Sequence, residues 1–163
     1  MFENFFKKTN SIEFTVEGKP PKKTIGSMWS ENSNQTSLVI KLRQNAFEAS
    51  QKVKFKHLRG PVKLTLTVYA PNVLERKDRH DYLGDLDALI GGVFEALQAA
   101  PTNPDLKIHP ELKNVEDIGS DVPLIVSDDA QVTTTIGKKI QRDGDPSYTV
   151  LIESDLSFLS GRK

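Results

Sequence analysis

The stretch RGPVKLTLTVYAPN, residues 59–72, restricts the fold more than any other part of the chain. Val62, Leu64, Leu66 and Val68 alternate with Lys63, Thr65, Thr67 and Tyr69, the two-residue period of a strand with one apolar face. Gly-Pro opens this run and Pro-Asn closes it, so its ends are set by residues that break ladders. A strand of this kind needs neighbours to pair with and an apolar layer over its Val/Leu face.

The covering layer is legible farther along, in GDLDALIGGVFEALQ at residues 84–98. Leu86, Leu89, Ile90, Val93, Phe94 and Leu97 recur at helical steps and make a stripe wide enough to lie on a sheet. Gly91 and Gly92 interrupt it at a cost of ~1 kcal/mol each relative to alanine, which marks close packing or close approach of another segment. A second amphipathic helix is predicted over residues 37–53, with Val39, Leu42, Ala46, Ala49 and Val53 at three- and four-residue steps. IEFTVEG, residues 12–18, is a short strand that stops at Gly-Lys-Pro-Pro.

After the second helix, residues 101–123 are rich in Pro, Asp and Lys without periodicity, and a loop of this length is expected to project from the core as a functional or mobile element. LIVSDDAQVTTTIGKKI, residues 124–140, resumes as a strand after or across an Asp-Asp turn. SYTVLIES, residues 147–154, is the last strand, expected to form a hairpin with it through QRDGDPS. The order β-α-β-α-β-β predicts an α+β fold: one domain over residues 1–163, a mixed sheet of about four strands and two packed helices, with a long loop at about 101–127 and flexible tails at 1–11 and 156–163.

With 163 residues, 37% of them hydrophobic, the chain suits a single core. It has no cysteine, and His57, His80 and His109 show no metal-ligand spacing, so any metal must be held by oxygen. No apolar run approaches the ~20 residues of a membrane span, and MFENFFKKTN carries its charges after its aromatics, unlike a signal peptide. A cytoplasmic protein without a membrane partner is expected. The net charge is zero, but residues 1–80 hold 15 Lys+Arg against 7 Asp+Glu and residues 81–163 hold 7 against 15. The basic runs KPPKK, KVKFKHLR and ERKDRH suit either a solvated surface or phosphate contacts. Trp29, in GSMWSEN, is expected to anchor a loop rather than stack on a base.

Two acid pairs carry the chemistry. Asp85 suits an N-cap and Asp87 the helix dipole, the commoner use of an acid pair at a helix start, and metal ligation is the alternative for both. Asp128 and Asp129 suit a turn before a strand. If Asp129 lies beside the head of the helix at Asp85, three carboxylates converge, a donor set that selects Mg²⁺ or Mn²⁺. Lys138 and Lys139, at the far end of the same strand, are candidates for positive charge near a phosphoryl group.

Taken together these residues resemble the RusA-type Holliday junction resolvases of bacteria and their phages. The resemblance spans about residues 14–153: VEGKPPKK after a first strand, a helix, a GPV strand running to a proline, a basic stretch, and D-L-D opening a helix that ends near E-A-L. D-D-x-Q-V follows, here DDAQV at residues 128–132, with Lys139 ten residues past its second Asp. The resemblance implies metal-binding aspartates at Asp85, Asp87 and Asp129, with Asp128 close by, and a catalytic Lys139. It further implies a homodimer that makes paired Mg²⁺-dependent nicks in four-way DNA junctions. Lys22, Lys23, Arg76, Lys77, Arg79 and Lys138 are the expected DNA contacts. The chain departs from the family at two helix positions, Ala88 for the usual asparagine and Gly91 for a lysine used in cleavage. A branched-DNA-binding protein with little or no cleavage is the alternative.

Overall fold

The computed structural model describes residues 11–53, 58–74, 83–113 and 115–155. Six elements follow in chain order: β1 (Ser11–Glu17), α1 (Thr36–Lys52), β2 (Val62–Ala70), α2 (Leu86–Leu97), β3 (Val132–Gln141) and β4 (Ser147–Ser154). The strands form one mixed sheet in the order β1-β4-β2-β3. β4 runs antiparallel to both β1 and β2, and β3 is an edge strand parallel to β2. The expected α+β architecture is thus the one observed.

One face of the sheet is the core. Ile12, Phe14, Val16, Val62, Leu64, Leu66, Val68, Tyr148, Val150 and Ile152 are all buried, and Val39, Leu42 and Ala46 of α1 with Leu89, Val93 and Leu97 of α2 close over them. In register, Thr135, Gly137 and Lys139 stand opposite Leu64, Leu66 and Val68 and so share the helix-covered face. Lys138, opposite Thr67, is on the other face. Among the described residues no helix is long and apolar enough to cross a membrane.

Three local expectations change. β3 and β4 are not a hairpin, because β2 lies between them and β3 pairs with β2 alone. The link crosses the end of β2 instead: the Arg142 amide donates to the Ala70 carbonyl at 2.9 Å, and its guanidinium sits 3.8 Å from the Tyr69 ring centroid. The turn expected at Asp128 and Asp129 is present as a short 3-10 turn, Asp129–Gln131, and the strand follows it from Val132. Val53 ends α1 as its half-exposed C-cap rather than extending the apolar stripe. The long loop does not project, since Leu112, Ile125 and Val126 are buried in the core.

The loop is held by Arg43, a charged residue fully buried on α1. Its Nε donates to the Ile118 carbonyl, Nη1 to those of Ala96 and Gln98, and Nη2 to those of Gly119 and Val122. All five N–H donors of a guanidinium are thereby used. Trp29, also fully buried, lies under the group at 5.2 Å and anchors the loop as expected, its own carbonyl accepting from the His109 amide at 2.9 Å. Burial lowers the Arg43 pKa to about 10 and the negative charge of Asp121 raises it, so the group stays protonated at neutral pH.

Candidate functional site at the head of α2

Three segments meet at the start of α2, and glycines set how closely they come. Gly84, with φ +113°, turns the chain into the helix, a conformation that favours glycine. Asp85 follows in extended conformation as the N-cap, and its carbonyl accepts the first helical bond from the Leu89 amide at 3.1 Å. Its carboxylate makes no capping hydrogen bond. Asp87 stands in the first turn, and both acids are exposed. The cap position was legible in the sequence, but the carboxylate at that position is not used on the helix backbone.

From the sheet side, Lys139 reaches this head and donates from Nζ to the Gly84 carbonyl at 2.7 Å. Gly137, two residues earlier on the same face, lets α2 settle on β3: a Cβ there would lie 2.7 Å from the Leu86 side chain and 2.8 Å from that of Ile90. From the opposite side comes the Pro-Pro-Lys-Lys segment. A Cβ on Gly92 would lie 2.2 Å from the Pro21 carbonyl oxygen and 2.5 Å from the Lys22 Cα, so backbone crosses backbone at this glycine. The glycine pair thus marks the close approach that its position inside a helix implied.

The crossing segment is fixed by its own backbone. Gln35, buried at the start of α1, accepts from the Lys22 amide at 2.7 Å and donates to the Lys22 carbonyl at 2.9 Å. The Lys23 amide donates to the Ala88 carbonyl at 2.9 Å. This leaves the Lys22 stem against Gly84 and the Lys23 stem against Gly91, each with a carbon 3.3 Å from where a glycine Cβ would be. Gln35 was missed in the sequence reading, since a glutamine before a helix carries no pattern that announces a backbone clamp.

Asp85, Asp87, Lys139, Lys22 and Lys23 are therefore gathered around one helix head. Asp128 and the backbone of Asp129 are not. α2 runs antiparallel to β3, with its head at the Lys139 end and its Leu97 carbonyl bonded to Leu124 at the other. The turn bearing Asp129 sits at that other end, where the Gln131 side chain donates to the Leu58 and Gly60 carbonyls. The seven steps along the strand from Val132 to Lys139 correspond to about 23 Å. The Asp129 side chain itself lies outside the described residues, as do Arg76, Lys77 and Arg79. Lys138 is on the opposite sheet face from the acids. Among the described residues no group of three or more Asp, Glu, His or Cys side chains is placed to hold a metal ion.

Two exposed carboxylates of one helix head still suit a hard divalent ion, because Mg²⁺ is commonly held by one or two carboxylates together with water and substrate phosphate oxygens. The available donors are all oxygen. A groove of about 420 Å³ runs along α2 from Ile90 to Gln98, lined by Lys23, Gly91, Phe94, Glu95 and Thr135 among others. Asp87, Gly91, Phe94 and Gln98 follow at steps of four, three and four, so the groove continues the helix face on which Asp87 stands. No protein-family model matches the chain, and no curated protein matches it.

Proposed function

We propose that the chain is a Mg²⁺-dependent, structure-selective endodeoxyribonuclease of the RusA type, which acts as a homodimer on four-way DNA junctions in the cytoplasm of a bacterium. One observation supports this above the others: Asp85 and Asp87 head α2 as two exposed carboxylates, while lysines from β3 and from the Pro-Pro-Lys-Lys segment pack at the same head. Asp85 and Asp87 are the residues that would hold the ion, which when bound supplies a Lewis acid for phosphodiester hydrolysis. Lys139 positions the head of the helix through Gly84, and the lysines around it favour the approach of an anionic backbone. Two-fold symmetry of a four-way junction is matched by a two-fold dimer.

The test is nicking of a synthetic four-way junction by the purified chain in Mg²⁺. Asp87→Asn should abolish nicking and leave junction binding within a few-fold of the parent; equal nicking by parent and variant would remove the metal assignment. The second reading, a branched-DNA-binding protein that cuts poorly, is favoured by Ala88 and Gly91 and by the distance along β3 between Asp129 and the helix head. That reading requires junction binding without nicking in either Mg²⁺ or Mn²⁺.

A further inference from the structure

The side chain that occupies the space over Gly91 belongs to Lys23. Its Cδ, Cβ and Cγ lie 3.3, 3.4 and 4.0 Å from the position of a Cβ on Gly91, so a stem from another segment lies where a helix side chain at 91 would begin. Position 91 is one helical turn beyond Asp87 and on the same face. The stem is not there by accident of a mobile surface chain, because the Lys23 backbone is bonded to Ala88 and its neighbour Lys22 is gripped at both polar atoms by Gln35. Lys23 is exposed and lines the groove that runs from Gly91 along α2.

We propose that Lys23 is the phosphate-contacting residue of this site, placing on the Asp87 face of α2 the positive charge that the helix itself lacks at Gly91. The substrate group is a backbone phosphate of the DNA strand lying in the α2 groove. A small residue at 91 then serves the arrangement rather than leaving a gap in it: a side chain longer than alanine at 91 would compete with the Lys23 stem for the same space. This inference rests on the nuclease reading for its cleavage readout, and on DNA binding alone for its second readout.

The decisive experiment moves the ammonium between segments. Lys23→Ala keeps the backbone bond to Ala88 and should lower the single-turnover junction-cleavage rate by about 10- to 100-fold, with the thermal unfolding midpoint unchanged. The same truncation should reduce the slope of log Kd against log salt for junction binding by about one. The double variant Lys23→Ala, Gly91→Lys removes the Cδ nearest position 91 and the Cγ, keeps only the Cβ at 3.4 Å, and returns a lysine from the helix. It should recover cleavage to within a few-fold of the parent, which a merely structural role for Lys23 would not permit. Parent-like cleavage by Lys23→Ala, or no recovery in the double variant, would overturn the proposal. If the parent binds junctions but does not nick them, the nuclease reading fails by itself, and the salt slope alone decides: a drop of about one sustains the phosphate contact and an unchanged slope ends it.

Discussion

Tyr148 on β4 is fully buried, and its hydroxyl has no hydrogen-bond partner among the described residues. A buried unpaired hydroxyl costs roughly 1–3 kcal/mol, so Tyr148→Phe should stabilise the fold by about 1 kcal/mol with little change in packing. Burial also pushes the Tyr148 phenol well above its ordinary pKa. The sign of the pH dependence follows from proton counts. Above the usual phenol value near 10, the unfolded chain releases this proton while the native chain keeps it, so stability falls with rising pH by up to ~1.4 kcal/mol per unit. Phenylalanine removes that contribution, and the advantage of the variant in urea unfolding should be larger at pH 10.5 than at pH 8. An advantage independent of pH would show that the native phenol ionises with the unfolded one. Residue by residue, the sequence identified Asp85 as a cap position but left undecided whether its carboxylate serves the helix. Backbone geometry decided that, since no capping hydrogen bond forms.

Among elements, α2 is pinned from both sides through glycines that are not equivalent. At Gly92 an added Cβ meets backbone, 2.2 Å from the Pro21 oxygen, and neither segment can move without breaking the Lys23–Ala88 and Lys22–Gln35 bonds. At Gly91 it meets only the flexible stem of Lys23 at 3.3 Å. Gly92→Ala should therefore destabilise the fold by about 1–3 kcal/mol or more, whereas Gly91→Ala should be neutral or gain up to ~1 kcal/mol of helix propensity. Denaturant midpoints of the two variants check the contrast, and equal effects would mean that the crossing is looser than described. The period-two and 3.6-residue patterns made β1, β2, β4 and both helices legible, because each of them buries a face against the same core, whereas β3 buries no residue fully. Strand pairing was not legible in the same way. Only two segments with a Gly-Asp turn between them suggested the hairpin, while the parallel partnership of β3 with β2 depends on where α2 lands, and that is set by Gly137 beneath Leu86 and Ile90.

On the scale of the whole molecule, Arg43 joins parts of the chain that composition kept apart. Its partners are 53 to 79 residues away in sequence, at the C-terminal end of α2 and in the loop. Pro-, Asp- and Lys-rich composition made residues 101–123 look like a projecting loop, and an arginine in a helix looks like solvated surface. Neither pattern reveals that one guanidinium can answer five carbonyls at once, and so the order of the loop was hidden from a local reading. Lysine cannot replace it: an ammonium has three donors and no planar fork. Arg43→Lys should cost about 3 kcal/mol and Arg43→Met at least as much, because of the five carbonyls of Ala96, Gln98, Ile118, Gly119 and Val122 at least two lose their donors with lysine and all lose them with methionine. The loss should be local before it is global. Hydrogen exchange should rise first at the amides of Ala100 and Ser120, which are bonded to the Ser120 and Leu112 carbonyls in the clamped loop, while β2 and β4 keep the protection of the core. Uniform loss of protection across sheet and loop would instead make Arg43 part of a single cooperative core. Since Arg43 also holds the far end of α2, the milder variant gives a further check: Arg43→Lys should leave the Asp85–Asp87 head, fixed separately by Lys139 and Gln35-bound Lys22, able to bind DNA at temperatures where the fold survives.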